Sequence, residues 1–246
     1  QSNNQKMLCG GCGSKVGNVI LESSLRKLSD PGSKHIVSTI GDDAAIIKFN
    51  SSFQALTTDH LRSFTKDVWL QSKITAIHAL GDIWAMGSDP EIALTNIIIP
   101  ESSNEIQKRT IEEIIDGANS VFGAEGVKIV GGHTSLGKEI VIGFTLGGFS
   151  KKQPKTVDKA CVGDQIILTK PLGSGVLLAG EMRFEGEGQH LKNLFDAMSQ
   201  SQSSIAKMLS KVANSMTDIT GFGLAGHLLN IVSKSNVGAK LFLDQV

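Results

Sequence analysis

The sequence predicts a fold of two parts that mixes strands and helices, and three observations carry that expectation. Short β-type hydrophobic runs alternate with longer segments whose apolar residues recur at helical spacing. A polar segment with a proline, Lys151 to Asp158, divides the chain. The length, 246 residues, suits one large domain or two small ones. The divisions expected are a glycine-rich loop with a leading helix over 1–34, a first domain over 35–152, and an incomplete second domain over 153–246.

In chain order, Met7 to Val16 reads MLCGGCGSKV, with no hydrophobic period, and is expected to be a mobile loop. Asn18 to Leu28 places Val19, Ile20, Leu25 and Leu28 at roughly helical spacing. Ile36 to Ile40, Ala44 to Phe49 and Gln54 to Thr58 read as strands between turn residues. A helix follows, with Leu70, Ile74, Ile77 and Trp84 on one stripe and Gln71, Thr75, His78 and Asp82 on another face. The isoleucine-rich Ala93 to Ile99 reads as a buried strand. Glu105 to Phe122 is a second amphipathic helix, with Gly123 as its stop. Val127 to Val130 and Glu139 to Phe149 are expected to be strands around a turn at Gly131 to Thr134. Beyond the divide, the pattern gives a strand at Gln165 to Thr169, helices over Leu191 to Ala213 and Phe222 to Val232, and a strand starting at Gly238 to Leu243.

Composition excludes several classes. Lys plus Arg and Asp plus Glu both total 24, so no basic footprint invites nucleic acid. No apolar run approaches the ~20 residues of a membrane span. The three cysteines, Cys9, Cys12 and Cys161, are too few for a disulfide scaffold. With no signal peptide legible, they point to a reducing, cytoplasmic setting.

The chemistry-bearing residues are mostly aspartates at element ends. Asp42 and Asp43 sit in GDDAA, Asp59 ends TTD, Asp82 lies in HALGD, and Asp218 lies in MTDITGFG. Carboxylates from separate elements suit a hard cation such as magnesium, which bridges them to nucleotide phosphates. Each one taken alone reads first as a cap, a turn former or a solvated residue. Two phosphate-loop look-alikes fail. GHTSLGKE at 132–139 has Glu139 where a metal-touching hydroxyl belongs, and a strand follows it. GFGLAG at 221–226 follows a polar segment, with no βαβ unit to house it. Cys9 and Cys12 form CxxC without the second pair that zinc needs. Lys15 near Cys12 would favour a thiolate able to deliver a soft atom. The residues alone leave that reading and a merely structural thiol both open.

Together the strings GCGSK at 11–15, GDDAA at 41–45, TTD at 57–59, HALGDIWAMG at 78–87, GGHT at 131–134, LTKPLGSGV at 168–176 and MTDITGFGLAGHL at 216–228 resemble the selenophosphate synthetase (selenide, water dikinase) family. That family falls within the aminoimidazole-ribonucleotide-synthetase-like ATP-binding superfamily. The resemblance implies an α+β, two-domain fold: a first domain with a mixed sheet or barrel at a homodimer interface, and a second, mixed α/β domain truncated here. It implies ATP and selenide as substrates and magnesium as cofactor. By position, Cys12 matches the reactive cysteine and Lys15 the essential lysine. Asp43, Asp82 and Asp218 match metal ligands, and Asp59 an ATP- or metal-contacting aspartate. Gly41, Asp42, Gly132, His133 and Thr134 match nucleotide-contacting positions. Ser14 and His78 depart from common family residues, and the family runs about a hundred residues further (an estimate from domain size). CGGCGSKVG also resembles the form fused behind a flavin-dependent dehydrogenase-like domain. Two alternatives accompany this reading: another small-molecule kinase of the superfamily, or a non-catalytic ATP-binding paralogue.

Overall fold

The computed structural model describes residues 15–16, 18–25, 34–38, 41–242 and 244. The elements of the first part are α1 (Asn18–Leu25), β1 (Ala45–Phe49), β2 (Ser52–Arg62), α2 (Val68–Ala85), β3 (Asp89–Pro100), α3 (Asn104–Glu125), β4 (Lys128–Gly137) and β5 (Val141–Ser150). The strands form one mixed sheet in the order β1-β2-β5-β3-β4, with β3 and β4 parallel and the other pairs antiparallel. Among the described residues of the strand expected at Ile36 to Ile40, Ile36 forms an isolated bridge to Ile47. Two other expectations, at Cys9 and Cys12, lie outside the described residues.

Strand alternation sorts the sheet into two faces. Ala93, Ile97, Ile142, Phe144 and Leu146 point to one face and are buried against Leu80 and Ile83 of α2 and Ile114, Ala118 and Phe122 of α3. Register places Thr57 and Asp59 on this helix-covered face, because they pair with Leu146 and Phe144. His60 pairs with Gly143 and so belongs to the other face.

The long helices α2 and α3 begin on side-chain caps. Asp67 accepts from the Leu70 N–H at the start of α2, and Ser103 does the same for Ile106 at the start of α3. Gly126, left-handed at φ 75°, stops α3; Gly123 lies inside it. Gly117 sets the approach of the two helices, since a Cβ there would fall 2.4 Å from the Trp69 carbonyl oxygen. The expected turn at Gly131 to Thr134 is instead the middle of β4, paired along β3. Glycine serves close approach here: a Cβ on Gly132 would lie 2.1 Å from Thr95 Oγ1.

The second part consists of α4 (Ser174–Met182), α5 (Gly188–Met198), α6 (Ser203–Leu209) and α7 (Gly223–Ser235). Among the described residues no strand follows β5, so the strands expected at 165–169 and from 238 are not formed. A strand exists only through a hydrogen-bonded neighbour, and the described residues supply none. The mostly helical pattern expected over Leu191 to Ala213 is interrupted at Ser199 to Gln202, where the Ser201 hydroxyl accepts from the Ser203 N–H at 3.1 Å and restarts the chain into α6. Leu178 of α4 and Leu194 of α5 pack with Leu61, Phe64 and Ile74 of the first part. The linker is clamped as well: the Lys155 N–H donates to the Met86 carbonyl at 2.8 Å, and Lys155 Nζ to that of Ala213 at 2.6 Å. Among the described residues no helix is long and apolar enough to cross a membrane.

Candidate functional site

Three aspartates from distant parts of the chain converge beneath the covered face. Asp43 precedes β1, Asp82 lies on α2, and Asp218 sits in the loop before α7. One carboxylate oxygen of each lies within 4.8 Å of the other two. Thr217 donates to Asp43 Oδ1 at 2.9 Å, while Asp43 Oδ2 is buried with no hydrogen-bond partner. Thr57 of β2 donates to Asp82 Oδ2. Gly81 makes room for the third member, since a Cβ there would lie 3.2 Å from Asp218 Oδ2.

Crowding these carboxylates in a dry site penalises their charged forms. Burial, then the charges of Asp218 and Asp82, push the Asp43 carboxyl well above its ordinary range. Burial, then Asp218, do the same to Asp82. Burial raises Asp218, against the pull of His78, His227 and Lys15. The set offers oxygen only and includes an orphaned buried oxygen, which fits a hard cation. Two oxygens across one magnesium stand at most about 4.2 Å apart, close to the spacing found here.

Beside the triad, His78 Nε2 meets Asp59 Oδ2 at 2.8 Å. They meet because α2 crosses the face on which Asp59 points. Burial alone would raise Asp59, but the hydrogen bond and charge of His78, with Lys15 beyond, hold it below the usual carboxylate range. Lys15 Nζ donates to Thr220 Oγ1 at 3.1 Å and lies 5.6 Å from the centre of the Phe222 ring. Thus Lys15, Asp43, Asp59, Asp82 and Asp218 share one neighbourhood.

The other expected positions are arranged differently. Gly41, left-handed at φ 102°, gives its carbonyl to Asn230 Nδ2 at 2.9 Å. Asp42 Oδ1 accepts from the Val157 N–H at 3.2 Å, tying the linker to the strand entry. Gly132, His133 and Thr134 lie on edge strand β4, three strand spacings from Asp59, or about 14 Å. His133 is in register with Asn96, which is in register with Gly143 and, through it, His60; it therefore belongs to the open face, opposite the aspartates. Sequence reasoning missed Thr57, Gly81, Thr217 and His227. TTD and MTDITGFG contain both threonines beside the aspartates, but nothing in spacing shows which hydroxyl points at which carboxylate.

Two family profiles match the chain: "AIR synthase related protein, N-terminal domain" over residues 41–150, and its C-terminal counterpart over 162–246. The chain is 32% identical over 243 residues to a selenide, water dikinase of Shewanella sp. (strain MR-4), covering 96% of this chain and 68% of that protein. The namesake from Shewanella baltica (strain OS155) gives 32% over 246 residues, with the same coverage. Among solved structures, a thiamine monophosphate kinase from Aquifex aeolicus superposes with a TM-score of 0.69 at 22% identity, covering 88% of this chain and 71% of that one. A hydrogenase maturation protein HypE in complex with ATP gives 0.61 at 20%, with 91% and 67% covered. These two likenesses show a shared fold.

Proposed function

Because the chain belongs to the selenide, water dikinase family, and is by that membership a kinase, we propose that it makes selenophosphate from selenide, ATP and water, releasing AMP and orthophosphate. The observation that carries the reading is the meeting of Asp43, Asp82 and Asp218 with Lys15 at the Asp218 loop.

Asp43, Asp82 and Asp218 would hold magnesium, which neutralises phosphate oxygens and stabilises charge spreading onto them during phosphoryl transfer. Asp59 stays ionised through His78 and is available to the same ions or to their waters. Lys15 supplies a fixed positive charge toward the transferring phosphoryl group. Cys12, three residues before Lys15, carries or positions the selenium, and the glycine-rich segment around it covers the nucleotide and excludes water. Gly41 and Asp42 shape the strand entry next to the nucleotide.

Gly132, His133 and Thr134 stand too far from Asp59 to share its ligand within one chain, so in this proposal they meet nucleotide across a homodimer. Phe49, Leu94 and Phe149 on the open sheet face are 51%, 40% and 36% exposed, and a second copy would cover them. The upstream dehydrogenase-like fusion suggested by CGGCGSKVG stays part of the proposal.

The test is selenide-dependent AMP release. Cys12→Ser is expected to abolish it while nucleotide still binds. ADP as the sole product, or normal turnover by Cys12→Ser, would overturn the reading.

A further inference from the structure

His227 belongs to none of the roles above, yet it touches both ends of the loop that carries Asp218. The Thr220 N–H donates to Nε2 at 3.1 Å. Nε2 is therefore the bare nitrogen, and the ring proton sits on Nδ1. Nδ1 faces Thr217 Oγ1 at 3.5 Å, the outer edge of hydrogen-bond length. With that oxygen accepting from the ring, the Thr217 hydroxyl proton points to Asp43 Oδ1 at 2.9 Å. At the other end, Thr220 Oγ1 lies 3.3 Å from Nε2 and accepts from Lys15 Nζ at 3.1 Å. The Phe222 ring packs on the imidazole, its centroid 5.9 Å away, and also faces Lys15.

An ordinary packed histidine would leave these contacts undirected. Here the backbone donor fixes the tautomer, and the tautomer fixes the direction of the Thr217 hydroxyl. That hydroxyl has a competing acceptor, the Asp218 carbonyl at 3.3 Å. An apolar residue of similar size would fill the space, leave the Thr220 N–H without its acceptor, and free Thr217 to turn away from Asp43.

We propose that His227 is a positioning residue: it sets the Thr217–Thr220 loop so that Asp43 and Asp218 face one cation while Lys15 stands at Thr220. This rests on the reading of the aspartates as an ion site.

Two kinds of measurement on the full chain test it. Nitrogen NMR of the imidazole should show Nδ1 protonated and Nε2 bare at neutral pH. Mn²⁺ titration followed by EPR should show His227→Leu binding about tenfold more weakly, the order expected when a group supporting a ligand is removed. His227→Gln, whose carboxamide oxygen can accept from the Thr220 N–H, should recover most of that loss. Thr217→Val should weaken Mn²⁺ comparably, and the double variant His227→Leu/Thr217→Val should be no worse than the weaker single, because both act through one path. An Nε2–H tautomer, a thermally stable His227→Leu chain with wild-type Mn²⁺ affinity, or additive losses in the double variant would overturn the proposal. A wild-type chain that binds no Mn²⁺ overturns the ion site itself, and the proposal with it.

Discussion

Asp59 and His60 are neighbours in sequence and belong to opposite worlds. Asp59 points under α2, where His78 meets it at 2.8 Å and the triad lies nearby. His60 points to the open face, in register with Gly143, Asn96 and His133, on a surface that also displays Phe49, Leu94 and Phe149. One face of the sheet brings charged groups together within a single chain. The other leaves apolar side chains uncovered. A period of two along β2 is enough to separate the buried carboxylates from the exposed apolar side chains.

The sharpest break of this comparison comes on the covered face. Asp82→Asn or Asp43→Asn should lower selenide-dependent AMP release by about 10²–10³-fold or more, the scale of losing one charge-stabilising group. The open face should respond in the opposite manner. Leu94→Asp is expected to convert a dimer to monomer in sedimentation and to leave Mn²⁺ affinity at the triad unchanged. Loss of Mn²⁺ binding in that variant would mean the two faces are not separable.

The covered face was partly legible and the open one hardly so. The apolar stripe of α2 and the isoleucines of β3 announce their elements through periodicity, because burial on one side is written into spacing. Asp82 on the polar side of α2 was visible for the same reason. GGHT was not: glycines allow a tight turn and equally a close strand approach, and only the Thr95 contact at Gly132 decides between them. α4 escaped notice because LGSGVLLAG mixes helix-breaking glycines with apolar residues, and it is held by Leu178 packing against the first part. Gly81 and Thr217 act through contacts between segments far apart in the chain, which no local pattern encodes, and His227 acts through the shape of its own loop, which spacing alone does not show.

Smaller effects sharpen the picture. Removing the ring at His78 should weaken metal–nucleotide binding by about tenfold, since it orients Asp59 without replacing a triad ligand. Gly117→Ala should cost about 1–3 kcal/mol, the price of overpacking, read as a lower thermal midpoint with the triad's Mn²⁺ affinity retained.

The mildest effect concerns pH. Asp43, Asp82 and Asp218 have folded-state pKa values raised above their unfolded ones. The folded chain therefore holds protons that the unfolded chain releases, and stability of the metal-free protein falls as pH rises above the ordinary carboxylate range. Asp82→Asn should flatten that slope and raise the metal-free midpoint near neutral pH by about 2–4 °C for each kcal/mol regained. An unchanged slope would show that the carboxylates are neither buried nor crowded as placed.

The most direct test is calorimetric titration of magnesium with a non-hydrolysable ATP analogue into the wild-type chain and into Asp43→Asn, Asp82→Asn and Asp218→Asn. The wild type is expected to bind the metal–nucleotide complex, and each single substitution, though its residue comes from a different region of the chain, to weaken binding by a similar large factor. Wild-type binding that survives all three substitutions would contradict that expectation.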